Sequence, residues 1–427
     1  MVVKTKNFGS LYGFELKKLW KKKMVWVTLC IMLAVIITGN LSYLLFSTTD
    51  EEIETSAYED IVKRREYARR LSGRCIDDDL IKEMQLAYGD MRIIYYEEEE
   101  IKTELGIPMG SSSMALIESV DDGRSTEQIR EDHRKYNDIY LFVDSISDYE
   151  AVHTVDEEEL YQIRQDEIMQ DWVTDYSLSK EEEALWKERE EKLQKPFVYE
   201  YCNGFGMLLG QINSFNYLWV LLCAICLSGF FSDEHLRRTD QIVLCSRYGK
   251  TPVYLAKMAA GLTLALGGTV LFFAVGTLLA LGIYGADGFH ASIQLYIWMS
   301  SWDISIGEAV CILFLVSLCG ALCCSVLTMM LSEILHNAVA VLSLVSGFMI
   351  FTMFVNVPPR YGVLSQIYAL IPTRLINEIG FLDNRLFHVF GRYFSTLQAA
   401  PVVYFGLAVG FLGVGFVVYG RYQVKGR

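Results

Sequence analysis

The chain has 427 residues, is 52% hydrophobic and carries a formal net charge of −14, yet its mean hydropathy is positive at +0.25. The charge is unevenly placed: positions 47–204 hold 42 acidic and 19 basic residues, while the remainder holds 10 and 19. A basic, apolar body with one acidic insert argues against a nucleic-acid partner, because the basic residues flank apolar runs instead of forming a patch on a soluble domain.

At the N-terminus, Phe8, Leu11, Tyr12, Leu16, Leu19 and Trp20 recur at helical spacing among lysines. Residues 1–23 therefore read as an amphipathic leader lying in a membrane interface. A first apolar run follows at 24–46. A signal peptide is the competing reading, but the run exceeds a typical h-region and no small-residue cleavage site follows it. Seven lysines precede this run, so the positive-inside rule places the N-terminus in the cytoplasm.

Positions 47–204 read as an extracytoplasmic, mainly helical domain. Ser125–Gln128 and Ser179–Glu182 match the capping-box pattern that opens a helix. The Gly106–Gly123 stretch reads as its longest loop. The acidic runs Asp77–Asp79, Glu97–Glu100 and Glu157–Glu159 read as solvated faces, with cation or basic-peptide binding as the alternative. Cys75 and Cys202 are candidates for a disulfide.

Residues 205–427 hold five more apolar runs, at about 212–231, 258–284, 308–331, 338–357 and 401–420, each near the roughly 20 residues that cross a bilayer as a helix. Six spans return the C-terminus to the cytoplasm. The fold class expected is an all-α polytopic membrane protein with six transmembrane helices. Small residues four apart, Gly261/Ala265, Gly276/Ala280, Ser317/Ala321/Ser325 and Gly406/Gly410, fit close helix packing. The same packing role suits Cys223, Cys226, Cys319, Cys323 and Cys324. Pro401 is expected to open the last span. Residues 358–400 are long for a loop and read as a re-entrant or interfacial helix pair broken at Pro372, with Thr373 capping the second helix.

Catalytic motifs are lacking. Gly249-Lys250-Thr251 imitates the end of a phosphate-binding loop, but that pattern needs a glycine where Leu244 stands and a preceding strand. No zinc-hydrolase or serine-hydrolase pattern occurs, and the six histidines show no metal-ligand spacing, so no metal site, cofactor or enzymatic activity of the chain's own is expected. Glu308 is a candidate polar site in the outer leaflet. It also completes a capping box with Ser305, which requires no transport role. Glu333 is expected to reach water at the inner end of the same span.

The link Ser232–Lys257 is longer than a turn between spans requires, and Thr239–Leu244 could form a short amphipathic helix. Its residues run Glu234, Thr239, Val243-Leu244, Ser246-Arg247 and Lys257. This segment resembles the first cytoplasmic connection of ABC-2-type transporter permeases, with Arg238 where glycine is usual and Cys245 ahead of the Ser-Arg pair. The span count, the basic leader and the large domain between the first and second spans are similar to one branch of that family.

The resemblance implies a bacterial cell-membrane permease subunit of an ATP-driven exporter. It implies a separate cytoplasmic ATPase subunit that binds ATP and magnesium, and a second six-span permease, identical or related. Glu234, Arg237, Arg238, Thr239, Leu244, Ser246, Arg247 and Lys250 would form the coupling segment. An amphipathic substrate such as a peptide, antibiotic or lipid is expected, since the spans hold almost no charge to coordinate an ion; sodium is the alternative. The rival class is a non-transporting membrane sensor or scaffold whose outer domain binds a ligand.

Overall fold

The computed structural model describes residues 8–46, 57–88, 126–147, 151–239, 242, 250–375 and 378–421. The described chain is mostly helical: α1 (Phe8–Trp20), α2 (Lys23–Phe46), α3 (Ala57–Leu71), α4 (Asp78–Tyr88), α5 (Thr126–Ile146), α6 (Glu157–Thr174), α7 (Lys180–Glu191), α8 (Asn203–Leu236), α9 (Thr251–Tyr284), α10 (Ile306–Leu335), α11 (Ala338–Phe354), α12 (Val363–Ala369), α13 (Pro372–Leu375) and α14 (Thr396–Arg421). One antiparallel pair, β1 (Leu386–Val389) and β2 (Arg392–Ser395), and short 3-10 turns at Ile293–Leu295, Pro359–Tyr361 and Glu378–Phe381 complete the described elements. The chain divides into two compact units: residues 1–42, 207–280 and 310–427 form one, and 43–206 with 281–309 form the other.

The first unit holds the apolar helices. Five described helices are long and apolar enough to cross a membrane: α2, α8, α9, α10 and α14. The sixth run, α11, is as apolar but has 17 residues. At 1.5 Å per residue it is about 26 Å long, against a hydrocarbon core of about 30 Å. Small residues set several contacts. A Cβ on Gly268 would stand 2.0 Å from the Trp219 ring, and one on Gly261 would stand 2.3 Å from Met329 Sδ. Asn216 Nδ2 donates to Ser317 Oγ at 2.7 Å and Trp219 Nε1 to Thr269 Oγ1 at 2.9 Å, so buried polar groups are satisfied between helices. Gly406 and Gly410, by contrast, have no atom within reach of an added Cβ, so the contact expected there is not made among the described residues.

Pro401 lies inside α14, which begins at Thr396 instead of at the proline. Beyond α11 the expected helix pair is shorter than anticipated and is followed by the hairpin. Phe390 and Gly391 turn it with φ of +50° and +77°, the left-handed pair that a two-residue type I′ turn requires. α12 ends at Ala369 and Pro372 opens α13, so the break expected at this proline is present. Thr373 does not cap: its hydroxyl lies 2.7 Å from that of Thr352.

The second unit packs α3–α6 around Ile76, Leu80, Ile81, Met84, Ile139, Val143, Leu160 and Phe197. The Ser179–Glu182 capping box forms, with reciprocal bonds between the Ser179 and Glu182 side chains and backbones. Ser125, Gly106–Gly123 and Glu97–Glu100 lie outside the described residues. Asp78 and Glu157 hold one another's helix starts: Glu157 N donates to Asp78 Oδ1 at 2.9 Å and Asp78 N to Glu157 Oε2 at 3.3 Å. These acidic runs thus cap helices and favour their positive ends.

This unit is larger than the expected 47–204 domain, because residues 281–309 belong to it. The reason is Arg164, which is fully buried. It pairs with Glu190 and donates to the carbonyls of Trp298 at 2.7 Å and Ser300 at 3.1 Å. Burial opposes the Glu190 charge, but the Arg164 guanidinium, with Lys195, outweighs it and holds the carboxyl below its usual range.

The expected disulfide is not formed: Cys75 and Cys202 are both free thiols. Cys75 is bridged to Val198, and Tyr201 N donates to Ser72 Oγ, so the backbone register carries Cys202 past Cys75. Burial, reinforced by the Asp138 carboxylate, pushes the Cys202 thiol up to about 12.

Candidate functional site

The charged residues of α8 and α9 stand near helix ends, and there they meet the leader. In α1, Leu19 is buried, and so is Glu15. Trp20 is 37% exposed, and its carbonyl accepts from Trp26 Nε1. Glu15 pairs with Lys18 of the same helix at 3.6 Å. Tyr12 reaches the Thr263 hydroxyl of α9 at 2.8 Å.

Glu234, in the last turn of α8, is the centre of the arrangement. One carboxylate oxygen pairs with Lys18 of the leader, and the other lies 2.5 Å from Lys257 Nζ of α9. Lys257 is 0% exposed. Its ammonium also sits 4.7 Å from the Phe231 ring centroid and 5.8 Å from that of Phe230, so aromatic faces supply part of its counter-field. Lys22 pairs with Asp233 at 2.8 Å. Three elements far apart in sequence are tied through two adjacent acids. A buried ammonium persists only where an anion and further polar or aromatic partners offset its lost hydration.

The first and last residues of the family-like motif, Glu234 and Lys257, are therefore in contact. The residues between them divide. Arg237, Arg238 and Thr239 are exposed; Arg238 has φ +56°, and Thr239 N bonds back to the Glu234 carbonyl at 3.0 Å, ending the helix. Lys250 is exposed and its carbonyl accepts from Tyr254 N at the start of α9. Leu244, Ser246 and Arg247 lie outside the described residues, as does most of the expected Thr239–Leu244 helix.

The same end of α8 is fastened to α10. Ser332 Oγ donates to the Ser228 carbonyl at 2.5 Å and accepts from the amides of Phe231 and Ser232. One turn on, His235 Nε2 lies 3.1 Å from Glu333 Oε2. Glu333 is 1% exposed, contrary to the expectation that it reaches water, because the α8 terminus covers it. His336 follows, its ring 4.0 Å from that of His235. The histidines expected to be scattered thus converge in part. The signal available in sequence was the Glu333-x-x-His336 spacing, which places both side chains on one side of a helix end.

Glu308 is exposed and forms the capping box: Ser305 N donates to Glu308 Oε2 at 2.8 Å and Glu308 N to Ser305 Oγ at 3.2 Å. Among the spans, a narrow apolar crevice is lined by Met32, Phe215, Asn216, Trp219, Thr269 and Phe272.

No family model matches the chain, and no curated protein or solved structure was found to be similar to it.

Proposed function

We propose that this chain is the permease subunit of an ATP-driven exporter in a bacterial cell membrane. The observation that carries the reading is the Glu234 cluster. A coupling segment has to pass a push from a docked motor to several helices together. Here the segment's two flanking residues are locked to each other, and the leader is locked to Glu234 and to its neighbour Asp233. Displacement of the exposed Arg237–Thr239 turn would be carried into α1, α8 and α9 as one body, because breaking the lock would expose Lys257 unpaired in a buried site.

In this proposal α11 crosses as the sixth span, both termini face the cytoplasm, and the acidic unit is extracytoplasmic. Fifteen Lys and Arg in the short segments on the inner side against four on the outer support that orientation. The cytoplasmic ATPase subunit binds the nucleotide and its magnesium. A second six-span permease completes the complex. An added Cβ at Gly406, Gly410 or Gly413 of α14 would meet nothing among the described residues, so these positions are open to close approach by another helix. ATP-driven closure shifts the paired permeases between two states by binding one of them better. The substrate is amphipathic: the polar groups inside the spans, such as Asn216, Ser317 and Thr269, are neutral hydrogen-bonding groups suited to a molecule that is largely apolar.

The test is to purify the full chain from its native membrane in mild detergent and measure co-purifying ATPase. The expected result is a bound nucleotide-binding subunit that is lost, or no longer stimulated, when Arg237→Glu and Arg238→Glu are combined. Both side chains are exposed, so folding is not at stake. A chain that emerges alone from several detergents would sink this reading in favour of the sensor or scaffold.

A further inference from the structure

The junction of α8 and α10 carries donor atoms that the transport proposal leaves unused. His235 is near the end of α8, Glu333 is in the last turn of α10, and His336 is the first residue after it. One ligand atom from each lies within 4.8 Å of the other two. The two imidazoles meet edge to face at 85°, beside a carboxylate whose Oε1 is buried and accepts no hydrogen bond among the described residues. His336 has φ +53°, a backbone state that glycine or asparagine holds with less strain, yet a histidine stands there.

We propose that His235, Glu333 and His336 form a divalent transition-metal site whose preferred ion is zinc. Two imidazoles and one carboxylate are a zinc donor set, whereas calcium and magnesium favour oxygen alone. Bonds of about 2.0–2.1 Å place tetrahedral donors about 3.3 Å apart. His235 and Glu333 already stand at 3.1 Å. The exposed His336 ring needs only a side-chain rotation to close the third bond. The fourth position then opens to water on the His336 side. The ion satisfies the second oxygen of Glu333 and lets both imidazoles bind as neutral ligands. Bound there, it crosslinks α8 to α10 at the start of the link to α9. The site does not depend on the transport reading.

The test uses the full chain without a polyhistidine tag, stripped of metal with a chelator and held in detergent micelles. Zinc is titrated against a chromophoric competitor, and the thermal unfolding midpoint is followed in parallel. One zinc per chain is expected, with X-ray absorption showing imidazole among nitrogen and oxygen ligands. His336→Asn keeps a residue suited to the left-handed backbone, so it folds; it should weaken zinc at least tenfold and abolish the zinc-dependent rise in the midpoint. Glu333→Gln should weaken binding similarly, and His290→Ala should not. Zinc held as tightly by His336→Asn as by the unaltered chain, or binding that never saturates, would overturn the site and leave His235 and Glu333 as an ion pair only.

Discussion

Lys257 is buried among Glu234, Phe230 and Phe231, and its stability depends on the anion more than on the rings. Replacing Glu234 with glutamine keeps the volume but strands the ammonium. We expect Glu234→Gln to destabilise the protein by about 3–5 kcal/mol, and the pair Glu234→Gln with Lys257→Met to recover most of that loss. Thermal unfolding in detergent checks it; a double variant no better than the single one would remove the ion pair as the cause. The Arg164–Glu190 pair makes a pH prediction. The Glu190 carboxyl is held below its usual range in the folded chain, so its contribution is present above the unfolded value of about 4.3. That contribution is lost as pH falls through the lower folded value. Trp186 lies 6.2 Å from Trp302 in the same unit, and Trp fluorescence during acid titration should therefore report the loss. Glu190→Gln should start less stable and show a flatter acid limb; an acid limb unchanged from the parent would refute the assignment. Glu234 and Lys257 were legible in sequence as the two ends of one motif. Their partner Lys18 was not, because a lysine ahead of a span is fully accounted for by membrane orientation, and nothing local marks a contact 216 positions away.

Helices were easier to read than their partners. Long apolar runs announce themselves by length, so α2, α8, α9, α10 and α14 were found with ends displaced by a few residues or, for α8, more. The hairpin was missed because its turn opens with Phe390 in place of the usual asparagine or aspartate, and because β1 and β2 have four residues each. Residues 285–307 fell between the expected third and fourth spans and drew no assignment to the outer domain, since nothing in their composition shows that the carbonyls of Trp298 and Ser300 serve Arg164. Close packing gives the prediction at this scale. Gly268 in α9 has the Trp219 ring where a methyl would go. Gly268→Ala should cost about 1–3 kcal/mol through overpacking, while the same change at Gly267, which has open space, should cost little. Comparing the two in detergent unfolding separates packing from helix propensity, which alone would make both stabilising.

For the whole molecule the open quantity is parity. Five helices have the length to cross, and α11 with 17 residues decides between an odd and an even number of passages. We expect six, so reporters fused ahead of Phe8 and after Arg421 should label from the same side and one within the acidic unit from the other. Opposite labelling of the two ends would show that α11 does not cross. The Glu234–Lys257 contact also bears on how such a chain is made. Before α8 and α9 meet, the Lys257 ammonium stands near the start of α9 and can extend to water at the interface. Packing of the helices removes that water, and the acid of α8 offsets the loss. The α8 acid is synthesised first, and the link to α9 is the length of chain over which it must wait. Packing of these two helices against each other should therefore depend on the pair, whereas an α9 that enters without its neighbour keeps its lysine hydrated at the interface.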